Sequence, residues 1–139
     1  MSDLLNLNSG PMTSDALVRA SGCSYRQLDY WCRNGVLVPV DGRAQPGQGY
    51  QRRWTRKDAR VAHVIARLAG MGATIPVLRH VAAMLRALHD SEWVGSVLVD
   101  EAGRVTRIDQ EPFRARPITA WLIDLGAVSG RYGPASDVA

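Results

Sequence analysis

The chain has 139 residues, of which 46% are hydrophobic and 22% are charged, and its formal net charge is +4. This length predicts one domain with at most a small appendage, and no run of 18 or more apolar residues marks a membrane span. Residues 1–12 lack the basic and apolar stretches of a secretory signal, so we expect a cytoplasmic protein without membrane contacts.

The positive charge is concentrated in the first two thirds of the sequence. Residues 1–90 hold 12 Arg or Lys against 6 Asp or Glu, a net charge of +6. Residues 91–139 hold 5 against 7, a net charge of −2. Because a basic surface attracts polyanions, a nucleic-acid contact is expected in residues 1–90.

The first elements in the chain are predicted to be a flexible arm and a short helix. Residues 1–12 are polar and contain Ser-Gly-Pro, which is typical of a weakly held arm. Thr13 and Ser14 are both favourable N-cap residues, so a helix is predicted to begin there, with Leu17 on its apolar face. Gly22 ends this helix, because a tight turn needs the backbone freedom of glycine.

A second helix is predicted over residues 24–34, where Ser24 and Gln27 have the spacing of a capping box. Three apolar residues recur at helical spacing along one side, namely Leu28, Trp31 and Cys32. The other side carries polar groups that are free to enter a major groove, namely Tyr25, Arg26, Gln27 and Asp29. The two helices and their glycine corner predict a helix-turn-helix that binds DNA. The alternative is an ordinary helical hairpin in a core.

The next segment predicts a β-hairpin, called the wing below. Residues 36–39 form its first strand, residues 41–48 its glycine-rich turn and residues 50–54 its return strand. A cluster of cations follows, with Asp58 as the one acid among them: Arg52, Arg53, Arg56, Lys57 and Arg60. Such a cluster attracts phosphates. The alternative is a solvated charged face.

Two further helices are predicted after the wing. Residues 55–58 resemble a capping box that opens helix three, and Thr74 caps helix four. Helix four carries apolar residues at three- and four-residue steps, at Leu78, Val81, Leu85 and Leu88. This row either packs in the core or contacts a second subunit, and a core position is the expectation.

The composition changes after Asp90. Residues 93–99 and 104–108 are rich in β-forming residues and predict a hairpin with a four-residue loop. A loop bracketed by two prolines then leads to a short helix predicted over residues 118–125, and the chain is expected to fray from Gly126. The segment would act as a dimer contact, a partner contact or a lid on the core, and we expect no small-molecule pocket in it.

These elements predict a mainly α fold with a small β component, namely a winged helix-turn-helix with a C-terminal appendage that contains a β-hairpin. The expected parts are a flexible arm at 1–12 and a DNA-binding domain at 13–90. They are followed by a β-hairpin and short helix at 91–126 and by a flexible tail at 127–139.

No pattern in the sequence points to catalysis or to a metal. A Ser/His/Asp grouping, a paired-carboxylate site and a nucleotide-binding glycine loop are all missing, so we expect neither an enzyme nor a cofactor. The two cysteines, Cys23 and Cys32, have no zinc or disulfide spacing, and we expect them to be reduced thiols.

The stretch Ser-Tyr-Arg-Gln-Leu-Asp-Tyr-Trp at 24–31 is similar to the MerR family of winged-helix regulators. The similarity continues through Gly-Val-Leu-Val-Pro at 35–39 and Gln-Arg-Arg-Trp-Thr at 51–55 with Asp58. It extends to Ile-Ala-Arg-Leu at 65–68 and to Gly72. It covers residues 13–88, and the order and spacing of these pieces are more specific than a bare helix-turn-helix.

The resemblance implies roles for individual residues. Arg26 would contact a base or a phosphate, Tyr30 would reach the DNA backbone, and Arg52 would grip a phosphate from the wing. Trp54 would pack between the wing and helix three. The complete set of predicted DNA-binding residues is Ser24, Tyr25, Arg26, Gln27, Asp29, Tyr30, Arg33, Arg52, Arg53, Arg56 and Lys57.

Two features depart from the family pattern. Asp29 stands where the family usually has a basic residue, and its carboxylate either accepts from a cytosine amino group or pairs with Arg33, four residues on. The family usually dimerises through a long coiled coil after helix four, which residues 90–103 cannot supply. The resemblance therefore does not extend to that dimer or to the promoter untwisting that depends on it.

The first interpretation of the sequence is a transcriptional regulator that binds specific sites in double-stranded DNA. A homodimer is expected because palindromic sites suit two heads, and RNA polymerase is a further candidate partner. One alternative is a phage-type excisionase or another architectural factor that bends DNA. The other is a protein-interaction adaptor whose winged helix contacts a polymerase or another protein.

Overall fold

The computed structural model describes residues 12–40, 51–108 and 120–131. The elements of the first part are β1 (Met12–Thr13), α1 (Ser14–Ser21), α2 (Tyr25–Arg33), β2 (Arg53–Trp54), α3 (Arg56–Gly70) and α4 (Ile75–Ala87). A 3-10 turn (Asp90–Glu92) leads to β3 (Ser96–Asp100), β4 (Val105–Arg107), β5 (Ala120–Asp124) and α5 (Leu125–Arg131). The predicted mainly α fold with a small β component is confirmed.

Three helix starts follow the predicted capping residues, whereas Thr74 stands at the N-cap of α4 without a side-chain cap hydrogen bond. The Thr13 hydroxyl accepts a hydrogen bond from the amide of Ala16 at 3.1 Å and caps α1. Gly22 ends α1 in the left-handed region, with φ of 85°, which an L side chain rarely adopts. Ser24 and Thr55 open α2 and α3, each through a complete capping box with the residue three positions on.

The wing differs from the predicted hairpin. β2 pairs antiparallel with β1, with Met12 opposite Trp54 and Thr13 opposite Arg53, so Met12 belongs to a strand and not to a flexible arm. The strand predicted over residues 36–39 is wrong. The amide of Val36 donates to the Trp31 carbonyl at 2.8 Å, which folds this segment onto the end of α2.

The physical reason is burial of the apolar residues in that segment. Val36 and Leu37 are both buried in the core, so they pack beneath α2 instead of alternating across a ladder. Among the described residues of the wing, the amide of Val40 still donates across it to the carbonyl of Arg53 at 2.8 Å. The predicted turn over residues 41–48 lies outside the described residues.

One hydrophobic cluster runs through all parts of the described chain. It joins Leu17 of α1 and Trp31 of α2 to Ile65 of α3, and it continues into Trp93 and Val99. The apolar row of α4 is largely core, since Leu78, Val81 and Leu85 are buried and Leu88 packs against them half-buried. Within the described residues, no helix is long and apolar enough to cross a membrane.

The C-terminal segment is a three-stranded antiparallel sheet of order β4-β3-β5. The predicted hairpin is confirmed, with Val99 opposite Val105. Its turn reaches α4, because a Cβ on Gly103 would lie 3.4 Å from both the Cβ of His80 and the Cα of Val77. The β3–β4 turn therefore packs against α4.

The helix predicted over residues 118–125 is wrong, because residues 120–124 form β5, with Leu122 opposite Leu98. Leu122 is exposed and Ile123 is buried, which is the two-residue period of a strand. Fraying from Gly126 is also wrong, since α5 continues to Arg131, and the Asp124 carboxylate accepts from the amide of Ala127 at 2.9 Å. The predicted proline-bracketed loop lies outside the described residues.

Candidate nucleic-acid interface

α2 has one buried side and one exposed side. Leu28, Trp31 and Cys32 are buried against the core. The opposite side exposes four of the predicted DNA-binding residues, including two large aromatic rings: Tyr25, Arg26, Gln27 and Tyr30. A helix that is fixed by its apolar side and exposes cationic, amide and phenolic groups has the surface that a major groove requires.

Ser24 and Gln27 have an intramolecular role at the start of α2. The amide of Gln27 donates to the Ser24 hydroxyl at 3.1 Å, and the amide of Ser24 donates to Oε1 of Gln27 at 3.0 Å. Both side chains are nevertheless exposed. The capping box engages the Gln27 acceptor and fixes the position of this side chain at the helix end.

Tyr25 links α2 to α1. Its phenol donates to the Asp15 carboxylate at 3.3 Å, and Asp15 also forms an ion pair with Arg19. Partial desolvation and the negative charge of Asp15 raise the pKa of Tyr25. The phenol is therefore a neutral hydrogen-bonding group at physiological pH.

Asp29 lies between two arginines. Its Oδ2 accepts from Nε of Arg33 at 2.7 Å, which is the pair that the four-residue spacing suggested. Its Oδ1 accepts from a terminal nitrogen of Arg52 at 2.8 Å, although 23 positions separate the two residues in the chain. Hydrogen bonds from Arg52 and Arg33 hold the pKa of Asp29 below its usual range.

Arg52 brings the residues that precede β2 to the side of α2. Its side chain is only 7% exposed, whereas those of Asp29 and Arg33 are 40% and 49% exposed. The Asp29 carboxylate thus links α2 to the residues just before β2. The Arg52 guanidinium is buried and not exposed on the surface.

The remaining predicted cations divide into two groups. Arg53 is exposed on β2 and Arg56 is half-buried at the start of α3. Lys57 donates to the carbonyl of Leu88 at 2.7 Å, at the C-terminal end of α4. Arg60 is buried, forms an ion pair with Asp90 at 3.1 Å, and belongs to the core.

Sequence reasoning did not find two arginines of α4 that support the end of α2. Arg79 donates to the carbonyl of Asn34 at 3.0 Å, and Arg86 donates to the carbonyl of Val36 at 2.9 Å. Both bonds cross at least 45 positions of the chain, and no local pattern marks them. They hold the turn after α2, and hence the exposed face of that helix, on the rigid body of the domain.

The cysteines lie behind this face and are both buried. Burial raises the pKa of Cys32 to about 11 and also raises that of Cys23. Both are therefore protonated thiols at neutral pH. Among residues 12–40, 51–108 and 120–131, no three His, Cys, Asp or Glu side chains form a group that would hold a metal ion.

Known proteins share the first part of this chain. The model of the MerR HTH family regulatory proteins matches residues 12–85, more than half of the sequence. Uncharacterised HTH-type transcriptional regulators of Mycobacterium bovis and Mycobacterium tuberculosis are each 39% identical to it over 59 residues. The shared stretch is 42% of this chain and 26% of each relative, so the match spans about a quarter of their length. The chain belongs to the MerR family of helix-turn-helix transcriptional regulators.

Proposed function

We propose that the chain binds specific sites in double-stranded DNA in the cytoplasm and regulates transcription there, with α2 in the major groove and the wing on the flanking backbone. The observation that supports this most is the exposed side of α2, where Arg26 and Tyr30 project from a helix that is buried on its other side. Arg52 and Asp29 keep the residues preceding β2 beside that helix.

The proposed contacts are of two kinds. Arg26 reads base edges, since a guanidinium suits guanine, and Gln27, whose oxygen is engaged in the capping box, offers only its NH2 group as a donor. Tyr30 and Arg53 contact the phosphate backbone, which positions the protein but carries no sequence information. The first kind should decide which site is bound, and the second should set how strongly affinity depends on salt.

The experiment is selection from a random duplex library with the full chain, followed by anisotropy titrations of the enriched and a scrambled duplex across a salt series. We expect enrichment of one sequence and affinity for it that falls as salt rises. Binding that ignores both sequence and salt would contradict the proposal. Capture of a polymerase subunit without any duplex binding would favour the adaptor.

A second candidate function is an architectural factor that binds tandem sites and bends DNA. It is favoured by the length of α4, which has 13 residues and is followed by a 3-10 turn and a sheet instead of a long helix. Light scattering with and without DNA separates the two. A dimer that forms without DNA supports the regulator, whereas a monomer that forms ladders on tandem sites supports the architectural factor.

A further inference from the structure

Asp29 places a negative charge on the surface that is proposed to face DNA. It is one of the polar residues of α2, and its side chain is 40% exposed. Bringing a carboxylate near phosphates is unfavourable, so its presence there calls for a physical account. Both oxygens of this carboxylate accept hydrogen bonds from arginines, which explains its position.

Each oxygen of Asp29 is bonded to a different arginine. Arg33 is bonded through Nε at 2.7 Å and Arg52 through a terminal nitrogen at 2.8 Å. Together the three side chains carry a net charge of +1 instead of +2. The carboxylate offsets one of the two positive charges and fixes the orientation of both guanidinium groups, so neither can turn fully toward a phosphate without weakening a charge-assisted hydrogen bond that is already formed.

Phosphate contacts add affinity for every DNA sequence alike, whereas discrimination between sites comes from base contacts. We propose that Asp29 is a specificity-determining residue that withholds Arg33 from the phosphates and, through Arg52, holds β2 beside α2. This rests on the proposed DNA-binding function. Asp29 thereby keeps sequence-independent binding weak, while Arg26 remains available to the bases.

The burial of Arg52 supports the second part of this role. A guanidinium that is 7% exposed and ion-paired to α2 ties the residues before β2 to the recognition helix. In the family resemblance this arginine grips a phosphate. In this chain its bond to Asp29 makes it a positioning residue for β2, which begins at the next residue.

The test is the Asp29→Asn variant, which keeps the shape of the side chain and removes its charge. Binding to a scrambled 20-base-pair duplex is measured by anisotropy from low to moderate salt. We expect the slope of log affinity against log salt to steepen by ~0.9 when the half-exposed Arg33, released from Asp29, gains a phosphate. At physiological salt this corresponds to roughly fivefold tighter non-specific binding per contact. Affinity for the selected site should rise less, so the ratio between the two falls.

Asp124→Asn is the matched control. It changes the net charge by the same amount, but Asp124 lies on β5 and asparagine can still accept the bond from Ala127. We expect its salt slope to equal that of the wild type. An equal steepening in both variants would show a general charge effect and overturn the role of Asp29.

Arg33→Gln serves as a second variant, since its side chain is half-exposed and its loss spares the core. If Asp29 withholds Arg33, the salt slope of this variant stays as in the wild type. A slope shallower by ~0.9 would show that Arg33 already binds a phosphate and would contradict the proposal.

The outcomes also separate this role from the function it rests on. A wild-type chain that binds no duplex would overturn the DNA-binding function itself. A wild type that binds, together with an Asp29→Asn variant of unchanged or shallower slope, would overturn the role of Asp29 alone. Circular dichroism of each variant ensures that the comparison is between folded proteins.

Discussion

The helix-turn-helix and the C-terminal sheet are stabilised by interactions of different range. In α1 and α2, the caps and the glycine corner join residues two to four positions apart. In the sheet, β3 pairs with β5 across 20 to 28 positions, from Asp100 opposite Ala120 to Ser96 opposite Asp124. Arg60 binds Asp90 and lies over the Trp93 ring, 5.7 Å from its centroid, which joins α3 to the start of the sheet segment.

The two regions should therefore respond differently to substitutions. On the exposed side of α2, Arg26 and Tyr30 can change without disturbing the helix packing, because their side chains belong neither to the capping box nor to the apolar row. The C-terminal segment has no such separation near Trp93, which is buried in the cluster that contains Trp31 and Ile65. Loss of the packing around Trp93 should therefore also lower the stability of the helix-turn-helix half.

Trp93→Ala tests this packing and should have the largest effect on stability. Removal of a fully buried tryptophan leaves a cavity and costs about 3–5 kcal/mol of the free energy of unfolding. We expect one cooperative urea transition, followed by circular dichroism, at a lower midpoint. Val94→Ala, at a neighbouring exposed position, should stay within ~0.5 kcal/mol of the wild type. A helical signal that unfolds at the wild-type midpoint in Trp93→Ala would show that the sheet is an independent appendage.

The same contrast explains how much the sequence predicted. The signals for both helices and the corner between them act over a few residues, so local patterns predicted them. These signals are Gly22, Ser24 and the apolar row that begins at Leu28. The β1–β2 ladder brings together residues about 40 positions apart, and nothing near residues 36–39 announces that β2 has another partner. The sequence signal for the actual structure was the unbroken apolar run Val36-Leu37-Val38. Such a run suits packing under a helix as well as a strand.

Two contacts of the candidate site could not be predicted from the sequence, because they also depend on the tertiary fold. The bond from Arg52 to Asp29 depends on how the wing folds back, and the bond from Lys57 to Leu88 depends on where α4 ends. A cation cluster in the sequence gives the charge but not its partners. Residues 120–124 were misassigned because Trp121, Leu122 and Leu125 also fit a helical spacing.

Ser24→Ala removes one local cap of α2 and should have an intermediate effect on stability. Loss of the hydroxyl removes the acceptor for the Gln27 amide and costs ~1 kcal/mol of stability. Ser24→Asp keeps an acceptor at the N-cap and should retain most of that stability. Chemical denaturation of the three proteins measures both. Equal stability of Ser24→Ala and the wild type would show that the capping box is not formed in solution.

The pH dependence of the Asp29 ion pairs should give the smallest effect. Because Arg52 and Arg33 hold the pKa of Asp29 below its usual range, the unfolded state binds the proton more tightly. The stabilisation is therefore complete above the unfolded pKa of about 3.9 and is lost as the pH falls through the folded pKa. Since Asp29 is partly exposed, solvent screening limits it to ~0.5 kcal/mol.

The measurement is the difference in unfolding free energy between the wild type and Asp29→Asn from pH 6 down to pH 2. Burial raises the pKa of Asp58, which acts in the opposite direction, but this contribution is common to both proteins and cancels. The difference should shrink below about pH 4. A difference that is constant over the whole range would contradict the ion pairs.

The central claim is tested most directly by comparing Arg26→Ala with Arg104→Ala on the selected duplex and on its scrambled form. Both arginines are exposed, but Arg26 lies on α2 and Arg104 in the turn before β4. Arg26→Ala should lose about 1–3 kcal/mol of binding free energy on the selected duplex and less on the scrambled one, while Arg104→Ala binds as the wild type does. Equal losses for the two variants, or no loss for Arg26→Ala on either duplex, would contradict the placement of α2 in the major groove.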